Sequence, residues 1–122
     1  FPTTLEAAQT CHAMGIATIM GAPNVIRGGS HSGNVAAIDL AQADRLDILS
    51  SDYVPAGLLM AALQLGDLWG NLARGIATVT HAPALHSGLR DRGTLEIGMR
   101  ADIIRFKRLD GLVLAWCQPK NA

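Results

Sequence analysis

Helix-like and strand-like periodicities alternate along this chain, and its two strand-like runs, Ile16 to Met20 and Leu46 to Leu49, are apolar almost throughout. A strand covered on one face alternates apolar and polar residues. A continuous apolar run bounded by glycine or polar residues fits a strand covered on both faces, as in a parallel sheet wrapped in helices. The order helix, strand, helix, strand, helix predicts parallel strands joined by right-handed crossovers. Two strands cannot cover themselves on both faces, whereas a (β/α)8 TIM-type barrel of about 250 residues supplies six more. The expected fold class is therefore α/β, with this chain forming part of such a barrel.

Local signals place the elements. Thr3 and Glu6 have capping-box spacing, and Leu5, Ala8, Cys11 and Met14 repeat at helical intervals up to Gly15, a left-handed stop. From Gly21 to Gly33 the periodicity ceases, which predicts a polar, glycine-dense loop of thirteen residues. Connections of this kind usually take about 2–6 residues, and long loops in compact domains are disproportionately functional. A helix resumes near Asn34 and runs through Ala41. Pro55 suits the first position of a helix carrying Leu58 to Leu65, and a further helix is expected from about Leu68 to Val79. Thr80 to Gly88 reads as a turn. A short strand between Arg92-Gly93 and Ile97-Gly98, another over Ala101 to Phe106, a hairpin turn at Asp110-Gly111 and a strand over Leu112 to Trp116 close the chain.

Ten basic residues balance ten acidic ones, and only 16% of the 122 residues are charged while 49% are hydrophobic. Neither a nucleic-acid surface nor an anionic-membrane surface is expected from such a balance. No apolar run approaches the roughly 18 residues of a membrane span, and no secretory signal opens the chain. A soluble, cytoplasmic protein is expected. Cys11 and Cys117 lack Cys-x-x-Cys spacing and read as two buried thiols. The chain starts at Phe1 without an initiator Met and enters structure at once, so an upstream segment is expected.

In parallel α/β folds, ligands gather beyond the carboxyl ends of the strands, and a polar cluster follows each strand here. After the first come Asn24, Arg27, Gly28, Gly29, Ser30, His31, Ser32 and Gly33: a cation, hydroxyl donors and glycines that let backbone amides approach a phosphate, with a helix start beyond. The loop is no Walker motif, and the same residues also suit a glycine-rich connector whose serines cap the next helix. Asp52, in the cluster after the second strand, suits a metal ligand or general base, and equally a plain helix cap. His31 is the histidine best placed for function, since imidazole titrates near neutral pH. His12 reads as filler, and His81 and His86 as capping or packing residues. No His-x-His or His-Glu-x-x-His pair is present.

The run Met20-Gly21-Ala22-Pro23-Asn24-Val25-Ile26-Arg27-Gly28-Gly29-Ser30-His31-Ser32-Gly33-Asn34, followed by Leu46-Asp47-Ile48-Leu49-Ser50-Ser51-Asp52-Tyr53-Val54-Pro55-Ala56, resembles the PhnM-type branch of the amidohydrolase superfamily. Likeness extends from Phe1 to about Phe106. Thr80-His81-Ala82-Pro83-Ala84, Gly88-Leu89, Arg92-Gly93-Thr94-Leu95 and Gly98-Met99-Arg100-Ala101-Asp102-Ile103 are similar to segments shared across many amidohydrolases. The resemblance implies the C-terminal part of the barrel over residues 1–90, with Phe1 to Thr4 ending strand six, Ile16 to Met20 as strand seven and Asp52 ending strand eight. Residues 91–122 would be returning strands of a small β-sandwich domain.

It also implies a diphosphatase that cleaves a ribose methylphosphonate 5-triphosphate to the 5-phosphate and diphosphate, with a divalent metal, zinc or manganese. Asp52 would bind metal or take the proton of the hydrolytic water; Asn24, Arg27, Gly28, Gly29, Ser30, His31 and Ser32 would hold the phosphorylated small-molecule substrate. The family's other metal ligands have no counterpart here, so the isolated chain is expected to be inactive and to partner the missing N-terminal part of the barrel or to form a homo-oligomer. Two alternatives stay open: another amidohydrolase acting on C–N bonds, such as a deaminase, and a non-catalytic phosphate-binding fragment.

Overall fold

A computed structural model of the chain describes residues 1–30, 32–109 and 112–117. Helix α1 (Leu5–Ala13) leads to strand β1 (Ile19–Gly21), followed directly by α2 (Ala22–Arg27) and then α3 (Ala37–Gln42). Strand β2 (Ile48–Ser50) passes through a 3-10 turn at Pro55–Gly57 into α4 (Leu58–Leu68), and α5 (Leu72–Ala77) and α6 (His81–His86) follow. The chain ends in strands β3 (Ile104–Leu109) and β4 (Leu112–Cys117).

The pair β1 and β2 is parallel, with Ile19 opposite Ile48 and Gly21 opposite Ser50, so both strands end at the same rim. Helices cover it closely because the core is built from small residues: Ala8, Ala22, Ala37, Ala41, Ala61 and Ala62 are fully buried around Met20, Leu40, Leu49 and Leu65. Alanine lets helix backbones approach the sheet, and the leucines fill what remains. At the opposite ends of the strands, the Thr18 N–H and the His12 ring both meet Asp47 Oδ2, at 2.7 and 2.8 Å. Histidine 12 is thus half-buried and tied to the sheet rather than idle filler.

Several boundaries differ from the sequence expectation. The cap of α1 is Thr4, not Thr3; its hydroxyl accepts the Ala7 N–H at 3.1 Å, while the Thr3 carbonyl accepts the Val35 N–H. The expected thirteen-residue loop is shorter, because Ala22–Arg27 is helical. Pro23 occupies its first turn, where a missing N–H costs nothing, and Gly28 at φ +74° ends it. The next helix starts at Ala37 rather than Asn34, and α5 starts at Leu72 rather than Leu68, because Gly70 at φ +59° stops α4 and Asn71 caps α5. Thr80 to Gly88, expected as a turn, contains α6.

No strand lies between Gly93 and Gly98 in the structure: both glycines turn the backbone to positive φ, and Leu95 and Ile97 point into solvent. Strands β3 and β4 pair antiparallel from Ile104 opposite Cys117 to Leu109 opposite Leu112, so the strand expected over Ala101 to Phe106 is displaced towards the hairpin. The Asp110-Gly111 turn itself lies outside the described residues, as does the Cys117 side chain. Cys11 is half-buried rather than buried. The hairpin is tied to α4 by Arg108, whose guanidinium lies 2.6 Å from Asp67 Oδ2; this hydrogen bond holds the Asp67 carboxyl below its ordinary pKa. Among the described residues no helix is long and apolar enough to cross a membrane.

Candidate functional site

Because β1 and β2 are parallel and in register, the residues after Gly21 and after Ser50 emerge side by side. Asp52 sits directly above Gly21: a Cβ on that glycine would stand 2.7 Å from Asp52 Oδ2. The absence of a side chain at position 21 therefore lets the carboxylate lean across the rim between the strands. Its backbone is bent for the purpose, with φ +53°, a left-handed conformation that Asp tolerates better than most residues. The Asp52 N–H donates to Ser50 Oγ at 3.1 Å, which closes the turn that carries it.

Two adjoining hollows open on this rim. One, of about 240 Å³, is lined by Phe1, Thr3, Gly21, Asn24, Ser30 and Asp52 among others; the second, of about 150 Å³, by Asn24, Arg27, Gly29, Ser30, Ser32, Asp52 and Tyr53, together with Pro23. The two polar segments singled out in the sequence thus share one crevice, with Asp52, Asn24 and Ser30 common to both hollows. Arg27, at the last turn of α2, holds its guanidinium 5.7 Å from the centre of the Tyr53 ring. Beyond Gly28, Ser30 Oγ accepts the Ser32 N–H at 3.3 Å and Ser32 Oγ accepts from Asn34 Nδ2 at 3.1 Å, so the hydroxyls are linked into one shaped segment. His31 lies outside the described residues.

Two details qualify the phosphate-loop expectation. Asn24 Oδ1 accepts the Ala37 N–H at 2.9 Å, so the Asn24 amide oxygen caps the start of α3 and is not free for a ligand. The Gly29 N–H is also taken, by the Asn24 carbonyl at 3.0 Å, so the donors lining the hollows are side chains. Gly28 shapes the end of α2 and does not line either hollow. Among the described residues no three His, Cys, Asp or Glu side chains gather where they could hold a metal ion. Asp52 is a hard oxygen donor of the right kind for a divalent cation, but by itself it is one ligand where three or four are needed.

No family model matches the chain, and no solved structure matches it. One curated protein does, at 51% identity over 113 residues, which is 90% of this chain and 30% of the relative. That relative is the alpha-D-ribose 1-methylphosphonate 5-triphosphate diphosphatase of Escherichia coli strain K12. A match of that extent includes both rim segments. The chain spans about 30% of the diphosphatase's length.

Sequence reasoning missed three parts of the site: Gly21, whose role depends on a residue thirty-one positions away; Tyr53, visible only as the neighbour of Asp52; and Phe1 to Thr3, which line the larger hollow. For Tyr53 the signal was its place in the polar cluster after the second strand. For the other two, no local pattern announces the contact.

Proposed function

We propose that this chain carries part of the active site of a metal-dependent, amidohydrolase-type diphosphatase that hydrolyses alpha-D-ribose 1-methylphosphonate 5-triphosphate to the 5-phosphate and diphosphate in phosphonate breakdown in the cytoplasm. The observation that carries this reading is the shared crevice of Arg27 and Asp52 at the carboxyl ends of two parallel strands, supported by the 51% identity to the diphosphatase. In this reading the parallel pair belongs to a (β/α)8 barrel, whose chemistry sits at that rim.

The roles follow from charge. A phosphoanhydride hydrolysis adds water oxygen to a phosphorus and breaks the bond to a departing phosphate oxygen, so the site must take a proton and balance phosphate charge. Asp52 accepts the proton of the attacking water. Arg27 and the hydroxyls of Ser30 and Ser32 hold the phosphate oxygens, and Asn24 fixes the loop through its bond to Ala37. Among the described residues Asp52 is the one placed at this rim to contribute to a divalent metal, with the remaining ligands supplied from outside this chain; such an ion, when bound, would lower the pKa of water.

Diphosphate release by the full-length natural protein tests the reading. Asp52→Asn, which keeps the left-handed backbone and removes the charge, should lower kcat by about a thousandfold or more. Arg27→Ala should raise KM for the triphosphate at least tenfold. Near-normal turnover by the Asp52 variant would remove that residue from the mechanism, and an unchanged KM in the Arg27 variant would remove the anion site.

A further inference from the structure

Arginines 74, 92, 100 and 108 are each held by a carboxylate, from Asp44, Asp91, Asp102 and Asp67 respectively. Arg27 is not. Among the described residues it makes no ion pair and no side-chain hydrogen bond, and its one contact of that class is with the face of Tyr53 at 5.7 Å. A guanidinium held over an aromatic face gives up no N–H donor to an acceptor there, so its donors stay open for another group. Arg74 shows the contrasting use within the same chain: it lies 3.9 Å from the Trp69 ring, but its Nη2 is taken by Asp44 at 2.6 Å, and the assembly locks α5 against the turn after α3.

Tyr53 is 59% exposed, so burial does not explain its presence at this rim. Its ring and Arg27 line the same 150 Å³ hollow with Ser30, Ser32 and Asp52. The hollow thus brings a cation, two serine hydroxyls, a carboxylate and an aromatic ring into one lining.

We infer that Tyr53 is a positioning residue for the anion site: its ring holds the Arg27 guanidinium at the mouth of the hollow, with its donors open, so that it meets the terminal phosphates of a polyphosphate substrate. The inference rests on the function proposed above and adds a residue to it. The aromatic face, not the phenol hydroxyl, does this work. An unsupported Arg27 would sample rotamers over solvent and lose part of its attraction for the ligand on each binding event.

The test uses the full-length natural protein, with the ribose 5-triphosphate substrate for kinetics and inorganic diphosphate as a competitive ligand. Tyr53→Leu should raise KM and the diphosphate inhibition constant together by about three- to tenfold, with kcat within about twofold. Tyr53→Phe and Tyr53→Trp, which keep the ring, should restore both constants. In the Arg27→Ala background, Tyr53→Leu should add nothing, because its effect passes through the guanidinium. An unchanged KM in Tyr53→Leu, a loss in Tyr53→Phe as large as in Tyr53→Leu, or additive losses in the double variant would each overturn the positioning role. If Arg27→Ala raises KM while Tyr53→Leu is silent, only this inference fails; if Arg27→Ala is itself silent, the anion site and the inference fall together.

Discussion

At Asp52 three local facts act on one carboxylate: a left-handed backbone at φ +53°, a Ser50 hydroxyl accepting its N–H, and a glycine beneath Oδ2. A non-glycine residue in that conformation costs on the order of 1 kcal/mol, a cost that persists because the flanking strand and turn fix the chain. Gly21→Ala tests whether the carboxylate's placement matters. The new methyl would meet Oδ2 at 2.7 Å, and since the end of a side chain can swing away, the fold should survive with a loss of about 1 kcal/mol or less while the carboxylate leaves its place. We expect kcat/KM of the full-length natural protein to fall about 10- to 100-fold with little change in melting temperature; unchanged kcat/KM would show that the carboxylate's position is unimportant. Asp52 and Arg27 were legible in the sequence because polar residues directly after apolar strands stand out. The capping use of Asn24 was not, since its partner Ala37 is reached only when the loop closes.

At the scale of elements, glycine marks most helix ends, although from the sequence only Gly15 was legible as one. Helices α1, α2, α4 and α6 end at Gly15, Gly28, Gly70 and Gly88, each at positive φ, with the residue beyond donating back to the carbonyl five positions earlier, as Gly29 does to Asn24. Asp44 does the same for α3 at φ +55°, and nothing in its neighbourhood marks it in advance. Helix α2 was hidden because Gly21, Pro23 and Gly28 look like loop punctuation when they are in fact the start and stop of six helical residues. The junction of α4 and α5 rests on a different glycine pair: a Cβ at Gly75 would stand 2.6 Å from the Gly66 N and 2.7 Å from its Cα, both backbone atoms that cannot swing aside. Gly75→Ala should therefore force the two helices apart and destabilise the protein by about 2–3 kcal/mol, read as a lower midpoint in chemical denaturation. A variant as stable as the parent would mean that these helices do not pack at the observed distance.

Taken whole, the molecule exposes 7820 Å², against roughly 6,300 Å² for a compact chain of 12.8 kDa. The excess fits what the described residues show: a parallel sheet of two strands and a C-terminal segment that leaves Leu95, Ile97, Ile103, Ile104 and Leu114 in solvent. Apolar runs announced both parallel strands but not their bounds: the strands are Ile19–Gly21 and Ile48–Ser50, starting later than the runs at Ile16 and Leu46, and Ile16 is exposed. The return segment from Gly93 to Gly98 carried the same residue types without a neighbouring strand to pair with, and periodicity cannot register a missing partner. At this scale the proposed function requires that two segments some twenty residues apart form one anion-binding rim. A crystal structure of the full-length natural protein with diphosphate tests it most directly. The ligand should lie between Arg27 and Asp52, with a phosphate oxygen in hydrogen-bond reach of the Arg27 guanidinium; diphosphate bound elsewhere, with this rim empty, would contradict the account.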